Sequence, residues 1–262
     1  MIKFTRKPNI LIDGLPTFSQ DVYWGKLSGE QMEDALDLID EKGWEAFNLK
    51  YKRMFDFTYE EDRADWHFTI PITKDSVVLD IGAGMGRSSI PLARIAKEVI
   101  VFDQSSLRMR FLKRRAAEVK LKNISIFIGD LFDLPLPEAS VDVIAMNGIL
   151  EWVGKNHTYA NPRLAQIEAL KICKKLLKPG GYLYVGIENR FALAYLKGID
   201  HSGLRFTSYM PRFLANWYMK LRKGEVYDTY TYNKNNLLHL FEVVGFSSID
   251  VYLPYPGYNL PR

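Results

Sequence analysis

Residues 77–93, VVLDIGAGMGRSSIPLA, decide the fold of this chain. An apolar run predicts a buried strand, a glycine turn follows it, and a helical pattern begins at residue 87 or 88. The turn glycines are Gly82, Gly84 and Gly86. Glycine has no Cβ, so this turn can adopt positive φ and bring its backbone against a bound molecule. The lone carboxylate of the strand, Asp80, is expected at the carboxyl end, facing the crevice where open α/β sheets bind ligands.

Polar residues also follow the next three predicted strands. Asp103 follows the strand at 99–102, Asp130 follows the strand at 124–128, and Asn147 follows the strand at 141–146. Parallel strands would bring all of these residues to one edge of a sheet with Asp80. Asp103 lies about twenty residues beyond the first glycine, the distance at which a carboxylate meets a ribose hydroxyl. The pattern predicts an α/β fold with a doubly wound, Rossmann-like sheet.

The glycine spacing separates two classes of ligand. A dinucleotide fingerprint reads G-x-G-x-x-G, whereas this turn reads D-x-G-x-G-x-G from Asp80, which disfavours a nicotinamide oxidoreductase. Together with LKPGGYLYVGIEN at 177–189, the turn resembles motif I of the class I S-adenosylmethionine (SAM) dependent methyltransferases, of the methyltransferase type 11 kind. The resemblance covers residues 75–188 and implies SAM as the cofactor. The cofactor-binding residues that it implies are Asp80, Gly82, Ala83, Gly84, Gly86, Asp103, Gln104, Asp130, Leu131 and Asn147.

Beyond Asn147 the sequence resembles a narrower subgroup. The segments NGILEWVG (147–154), IENRFALAYLKGIDHSGLRF (187–206) and YDTYTYN (227–233) are similar to bacterial or archaeal methyltransferases of surface-polysaccharide and glycolipid gene clusters. Enzymes that methylate adenine N6 or glutamine carry prolines and an aromatic residue where this chain has Gly148 and Ile149. We therefore expect methyl transfer to a small molecule or saccharide at oxygen, in polysaccharide biosynthesis. The tyrosines of 227–232 either stack on sugar faces or belong to the core.

Three residues are candidates for activating the group that accepts the methyl. A hydroxyl acceptor benefits from a general base, and His201 is the first candidate because Asp200 can orient its imidazole. Glu151 and Glu188 are the other candidates, although Glu188 can instead pair with Arg190. Two carboxylates suggest a metal, but no third ligand stands at a convincing spacing, so no metal is predicted.

Length and composition bound the organisation of the chain. The 262 residues, 47% of them hydrophobic, suffice for one sizeable core. We expect an N-terminal helical cap at 1–70, with a helix at 31–47 behind the capping pair Ser28 and Gln31, and a SAM-binding domain at 71–262. Residues 191–232 are expected to form a lid on the substrate side. The single cysteine, Cys173, excludes an intrachain disulfide and a multi-cysteine zinc site.

Location and partners follow from charge and apolar patterning. The net charge is only +4, and no apolar run is long enough to cross a membrane, so we expect a cytoplasmic protein. An amphipathic helix within 210–223 suggests contact with the inner membrane face or a lipid-linked substrate, with a packed lid helix as the alternative. No DNA partner is expected.

Two alternative functions stay open. The basic helix at 107–119 suggests an RNA or protein methyltransferase, although it lacks base-stacking aromatic residues and is expected to be a solvated face. A strand at 249–253 is followed only by PYPGYNLPR, so the last strand of the family's sheet is either irregular or lies in a longer chain. That departure suggests a SAM-binding scaffold without catalysis.

Overall fold

The computed structural model describes residues 3–23, 25, 27–153, 155, 161–198, 200–257 and 260–261. Its main sheet has seven strands in the order β1-β2-β5-β4-β3-β6-β7. The strands are β1 (Ile10–Ile12), β2 (Leu15–Thr17), β3 (Val77–Ile81), β4 (Glu98–Asp103), β5 (Ile124–Ile128), β6 (Val141–Asn147) and β7 (Leu177–Gly186). Strands β2, β5, β4, β3 and β6 pair in parallel, whereas β1 pairs antiparallel to β2. The predicted α/β class with a parallel core is confirmed.

Helices connect these strands and extend the chain beyond them. The α-helices are α1 (Gly29–Phe55), α2 (Ser89–Ile95), α3 (Ser106–Glu118), α4 (Pro162–Leu176), α5 (Leu193–Leu196), α6 (Arg212–Lys223) and α7 (Lys234–Val244). Short 3-10 helices span Asp56–Tyr59, Glu61–Thr69, Leu131–Asp133 and Leu150–Trp152. Among the described residues, none of the helices combines the length and the apolar character that crossing a bilayer requires.

The N-terminal region is helical, as predicted, but it also adds two strands to the sheet. The capping box of α1 is formed, because Ser28 Oγ accepts from the Gln31 amide at 3.1 Å and Gln31 Oε1 accepts from the Ser28 amide at 2.9 Å. The helix is interrupted at Gly43, whose φ is 78°. Strands β1 and β2 were not predicted, because three residues are too few to show an alternating pattern.

The arginines of α3 correct the expectation of a solvated face. Arg110 donates to Glu33 Oε1 at 2.7 Å, and Arg114 pairs with both Asp13 and Asp40. Arg115 is buried. These side chains are held by acidic residues of the N-terminal region and by backbone carbonyls, so the basic pattern of α3 stabilises the packing of α1.

The predicted C-terminal strand at 249–253 is wrong. Residues 249–253 form no strand, and Val251, Tyr252 and Leu253 are exposed. The apolar residues in this segment resembled a strand, but a strand also needs a neighbour to pair with, which the sequence does not reveal. A short hairpin follows, with β8 at Pro256–Gly257 and β9 at Leu260–Pro261. The preceding helix α7 ends in a left-handed cap at Gly245.

Two compact units make up the chain. The first contains the residues up to Ala145, then Lys175–Tyr184 and the residues from Pro254 onward; the second contains Met146–Lys174 and Val185–Leu253. The core of the first unit surrounds the parallel strands, with Val78, Val99, Val101 and Val143 buried together. The predicted boundary at residue 70 and the predicted lid at 191–232 stay predictions.

Candidate functional site

The glycine turn leaves β3 and leads into α2. Gly82, Gly84 and Gly86 have φ angles of 65°, 54° and 86°, which favour glycine. A Cβ on Gly84 would meet no atom within 4 Å, whereas a Cβ on Gly86 would lie 3.0 Å from Leu112 Cγ. Gly84 therefore borders open space, and Gly86 allows close packing against α3.

Asp103, at the end of β4, reaches back to this turn. Its Oδ2 accepts a hydrogen bond from the Gly84 amide at 3.2 Å, and its Oδ1 accepts from the Ser105 amide at 3.0 Å. Arg108 lies 3.6 Å from Oδ2. The backbone also ties the two strands together, since the Ala83 amide donates to the Phe102 carbonyl at 3.1 Å. The turn and Asp103 thus form one connected surface, as the motif spacing predicted.

Asp130 and Gln104 extend this surface along the carboxyl ends of β4 and β5. Gln104 Nε2 donates to Asp130 Oδ2 at 2.9 Å, and the Phe132 amide donates to Oδ1 at 2.9 Å. Leu131, which follows Asp130, is buried. The structure therefore brings Ala83, Gly84, Asp103, Gln104 and Asp130 together within the first unit.

Asp80 is buried and bonds to the start of α2. Its Oδ2 accepts from Ser89 Oγ at 2.6 Å. Burial is the main reason that the pKa of Asp80 rises to about 6, and the bond from Ser89 opposes that rise. This bond ties the end of β3 to the start of α2, and a direct contact of Asp80 with a cofactor stays a prediction.

Asn147 is the last residue of β6 and lies in the second unit. Its strand pairs with β3, where Ala145 is the register partner of Asp80. The next residue, Gly148, has a φ of 71° and donates its amide to the Gly186 carbonyl at 2.8 Å. The cofactor contact proposed for Asn147 stays a prediction.

In the second unit, the three residues predicted to act on the methyl acceptor lie close together. Glu151, Glu188 and His201 each offer one ligand atom, and these atoms lie within 4.8 Å of one another. His201 Nε2 and Glu188 Oε2 are 3.3 Å apart. Glu151 is only 1% exposed. No metal was predicted because a third ligand was lacking in the sequence pattern, but His201 stands beside the two carboxylates.

Neighbouring side chains fix this cluster. Gln166, which is fully buried, donates to the Leu150 carbonyl at 2.7 Å and to the Tyr230 carbonyl at 3.0 Å, and so fixes the short helix that carries Glu151. The rings of Trp152 and Tyr195 lie against His201, with centroids at 4.8 Å and 5.8 Å. Sequence reasoning missed Gln166, because nothing in α4 distinguishes it from an exposed glutamine except its position among apolar neighbours.

The segment that contains the glycine turn and these carboxylates matches a known protein family. Residues 79–185 match the family profile described as a methyltransferase domain. The matched segment contains Asp80, Asp103, Asp130, Asn147 and Glu151, whereas Glu188 and His201 lie beyond it.

Individual relatives agree with that match. Malonyl-[acyl-carrier protein] O-methyltransferase of Xylella fastidiosa is 32% identical over 135 residues, which cover 48% of this chain and 41% of that protein. The mitochondrial ubiquinone biosynthesis O-methyltransferase of Homo sapiens is 26% identical over 184 residues, which cover 69% of this chain and 45% of that protein. This chain therefore matches less than half the length of either curated relative.

A solved structure shows the same fold. Phosphoethanolamine N-methyltransferase 1 of Haemonchus contortus, in complex with phosphoethanolamine and S-adenosylhomocysteine, aligns with a TM-score of 0.51 at 21% identity. The alignment covers 83% of this chain and 42% of that chain. The predicted Rossmann-like methyltransferase fold is thereby confirmed.

The second unit corrects two expectations about side-chain partners. Asp200 does not orient His201, because its oxygens accept from the Ser202 amide at 2.9 Å and from the Ser208 amide and hydroxyl at 2.8 and 2.7 Å. Burial would raise the pKa of Asp200, but these hydrogen bonds outweigh it and hold the pKa below its usual value. Arg190 donates to the carbonyls of Ser208 and Met210, and it is His201 that pairs with Glu188.

The tyrosines of 227–232 belong largely to the core of the second unit. Tyr227 and Tyr232 are buried, and the Tyr232 hydroxyl donates to Gln166. The Arg212 guanidinium stands 4.5 Å from the centre of the Tyr230 ring. Of the two alternatives for this segment, the structure favours core packing for Tyr227 and Tyr232.

Proposed function

We propose that this chain is a SAM-dependent methyltransferase that transfers a methyl group to a hydroxyl of a small-molecule or saccharide acceptor. The observation that carries the proposal is the joined surface of the glycine turn, Asp103 and Asp130, together with the match of 79–185 to a methyltransferase domain. SAM supplies a methyl group on a sulfonium, which the acceptor oxygen displaces as the carbon–sulfur bond breaks and its electron pair passes to sulfur.

The first unit supplies the groups that hold the cofactor. The open space above Gly84 admits a ligand against the backbone. The Asp103 carboxylate suits a ribose hydroxyl pair, and the Asp130 carboxylate suits the amino group of adenine beside Leu131. Methyl transfer depends strongly on alignment, so a turn held by the hydrogen bond between Gly84 and Asp103 favours the reaction.

The second unit supplies the groups for an oxygen acceptor. When an acceptor hydroxyl gives its proton to His201 Nδ1, the resulting imidazolium keeps Nε2 3.3 Å from Glu188 Oε2, and that carboxylate stabilises it. The oxygen lone pair freed in this way forms the new bond to the methyl carbon. An amine acceptor has less need of such a pair, which is why we propose oxygen.

The class of acceptor is proposed from the subgroup resemblance and from the relatives. Two of the curated relatives are named as O-methyltransferases, one acting in ubiquinone biosynthesis and one on malonyl-[acyl-carrier protein]. The motifs at 147–154, 187–206 and 227–233 resemble methyltransferases of polysaccharide and glycolipid gene clusters. The RNA alternative has less support, because the arginines of α3 are engaged by acidic residues.

The exposed face of α6 favours work at a membrane surface, which we propose is the inner face of the cytoplasmic membrane. Ala215 and Met219 of this helix are buried, whereas Phe213, Trp217 and Leu221, spaced four residues apart, are exposed. Lys220 and Arg222 are exposed on the same helix. An apolar stripe beside cations fits an anionic lipid surface or a lipid-linked acceptor.

Acceptor screening tests the proposed activity. Radioactive transfer from methyl-labelled SAM should reach an acceptor in a panel of nucleotide sugars, lipid-linked saccharides and small hydroxylated molecules. His201→Ala should lower turnover at least a hundredfold while S-adenosylhomocysteine affinity stays unchanged. Transfer to a nitrogen acceptor alone, or equal turnover by the variant, contradicts the proposal.

Vesicle sedimentation tests the membrane contact. The wild type should sediment with phosphatidylglycerol vesicles and remain in solution with phosphatidylcholine vesicles. The double variant F213S/W217S should lose this binding, while Leu49→Ser, at an exposed leucine of α1, should keep it. Binding that is equal in both variants removes α6 from the proposal.

A further inference from the structure

The cluster of Glu151, Glu188 and His201 has the composition and size of a metal site. Carboxylate oxygens and an imidazole nitrogen are the ligands that Mn²⁺, Fe²⁺ and Zn²⁺ accept in proteins. The three residues lie far apart in the sequence, but their ligand atoms lie within 4.8 Å of one another. Two carboxylates held this close repel each other unless a proton or a cation stands between them.

The distances suit one shared ion. Two ligands at about 2.1 Å from the same ion are separated by about 3.0 to 4.2 Å, depending on the angle between them. The 3.3 Å between His201 Nε2 and Glu188 Oε2 falls in this range. The limit of 4.8 Å for the cluster exceeds the upper end of this range by about 0.6 Å, so binding of an ion requires the ligand atoms to move closer together by side-chain rotation.

A second observation points to the same place. Tyr195 is only 3% exposed, and its hydroxyl has no hydrogen-bond partner among the described residues. Its ring lies against His201, and burial first, then the carboxylates of Glu188, Asp200 and Glu151, raise its pKa above the usual value. A buried hydroxyl normally donates a hydrogen bond to some acceptor. A water or a substrate oxygen that coordinates the ion would accept the bond from Tyr195.

We propose that Glu151, Glu188 and His201 bind one divalent cation of the Mn²⁺ or Zn²⁺ class, and that the Tyr195 hydroxyl donates to an oxygen ligand of that ion. Three protein ligands leave coordination positions open for water or substrate. Mg²⁺ is disfavoured, because it prefers oxygen ligands to imidazole.

The role of the ion in catalysis rests on the proposed function, whereas its binding does not. An acceptor hydroxyl that coordinates the ion loses its proton more readily, with the proton passing to bulk water and the freed lone pair attacking the methyl carbon. The ion then replaces the imidazole as the activating group, and His201 acts as a ligand.

The test is calorimetric titration of MnCl₂ into tag-free wild-type protein after treatment with EDTA, without SAM or acceptor. We expect one Mn²⁺ per chain, displaced by Zn²⁺, which binds such ligands more tightly. His201→Ala and Glu188→Gln, which alter only partly buried side chains, should each weaken Mn²⁺ binding at least tenfold. Circular dichroism of both variants shows that they are folded.

The chain offers a matched control in a second histidine–glutamate pair. His239 Nδ1 lies 3.7 Å from Glu242 Oε2 on the exposed face of α7. His239→Ala should leave Mn²⁺ binding unchanged.

The proposal is overturned when the wild type binds no stoichiometric Mn²⁺ or Zn²⁺, when folded His201→Ala binds as well as wild type, or when His239→Ala abolishes binding. Methyl transfer that persists in EDTA and needs His201 rejects the catalytic role of the ion but keeps the proposed function.

Discussion

Asp103 joins the end of β4 to the glycine turn, and its carboxylate is the group that we assign to the cofactor ribose. Asp103→Ala removes that contact and the hydrogen bond from the Gly84 amide. Loss of hydrogen bonds to a charged group costs about 1.5 to 3 kcal/mol, so the affinity for S-adenosylhomocysteine should fall about ten- to a hundredfold. Calorimetric titration measures this change.

The matched control for this variant is Asp133→Ala. Asp133 is exposed and pairs with Arg6 in the same unit. Its substitution should leave the affinity for S-adenosylhomocysteine unchanged. Equal affinities in wild type and Asp103→Ala would remove Asp103 from the cofactor site.

Asp80 should give the stability a characteristic pH dependence. Its pKa is about 6 in the folded state and 3.8 in the absence of the fold, so the folded state holds the proton more tightly. Below about pH 4 both states are protonated; as the pH rises to about 6 the free energy of unfolding falls by up to about 3 kcal/mol. Asp80→Asn does not titrate.

The stability of Asp80→Asn relative to wild type should therefore rise between about pH 4 and pH 6 and stay level above that window. Urea unfolding at several pH values measures the difference, in which the titration of the other carboxylates cancels. A difference that is constant with pH contradicts a raised pKa for Asp80.

The limits of sequence reasoning are visible at this scale. The motif predicted Asp103, Gln104 and Asp130 correctly as neighbours, since strand order and spacing dictate where the carboxyl ends of parallel strands lie. The partner of His201 was missed. Asp200 is adjacent in the chain, but the loop folds so that Glu188 faces the imidazole, and loop conformation has no periodic signal.

At the scale of elements, the glycine turn contains two positions with different tasks. Alanine at either Gly84 or Gly86 incurs the cost of a positive φ, roughly 1 to 2 kcal/mol. At Gly86 the new Cβ also presses on Leu112, which is fully buried. Gly86→Ala should therefore lower the melting temperature more than Gly84→Ala does.

Gly84→Ala should instead weaken the binding of S-adenosylhomocysteine, because its Cβ projects into open space beside Asp103. Thermal unfolding and calorimetry on both variants separate the two effects. If Gly84→Ala binds as tightly as wild type, the space above this glycine does not receive the cofactor.

Gln166 connects three segments of the second unit. Gln166→Leu keeps the size of the side chain but leaves the carbonyl of Tyr230 and the hydroxyl of Tyr232 unpaired. The Leu150 carbonyl loses the bond from Gln166 and keeps the one from the Val153 amide. Each orphaned group costs about 1 to 3 kcal/mol, so the free energy of unfolding should fall by about 2 kcal/mol or more. Gln20→Leu, at an exposed glutamine, is the control and should change little. Urea unfolding of the two variants should differ clearly; similar curves would contradict the role of Gln166.

Elements with strong periodic patterns were predicted well, and short or unpaired ones were not. The capping box of α1 and the left-handed cap of α7 follow from local chemistry. Strand β2 pairs with the edge of β5 and β1 pairs with β2, whereas residues 249–253 form no strand. Pairing as well as composition decides whether a strand forms.

At the scale of the whole molecule, more of the first unit than of the second could be predicted from the sequence. Residues 79–185, which match the methyltransferase-domain profile, have an α/β fold that the glycine turn and the strand ends predicted. In the second unit, Glu151 lies close to Glu188 and His201, which come much later in the sequence. No sequence motif predicted that these three side chains would meet. The acceptor chemistry accordingly depends on tertiary contacts that the sequence pattern does not contain.

We expect the glycine turn and the carboxylates around it to bind SAM. Calorimetric titration of the purified chain with S-adenosylhomocysteine and, separately, with NAD tests this most directly. We expect S-adenosylhomocysteine to bind with one site per chain and NAD to show no binding, because the turn lacks the glycine spacing that receives a pyrophosphate. A folded chain that binds no S-adenosylhomocysteine, or that binds NAD equally well, would contradict the account.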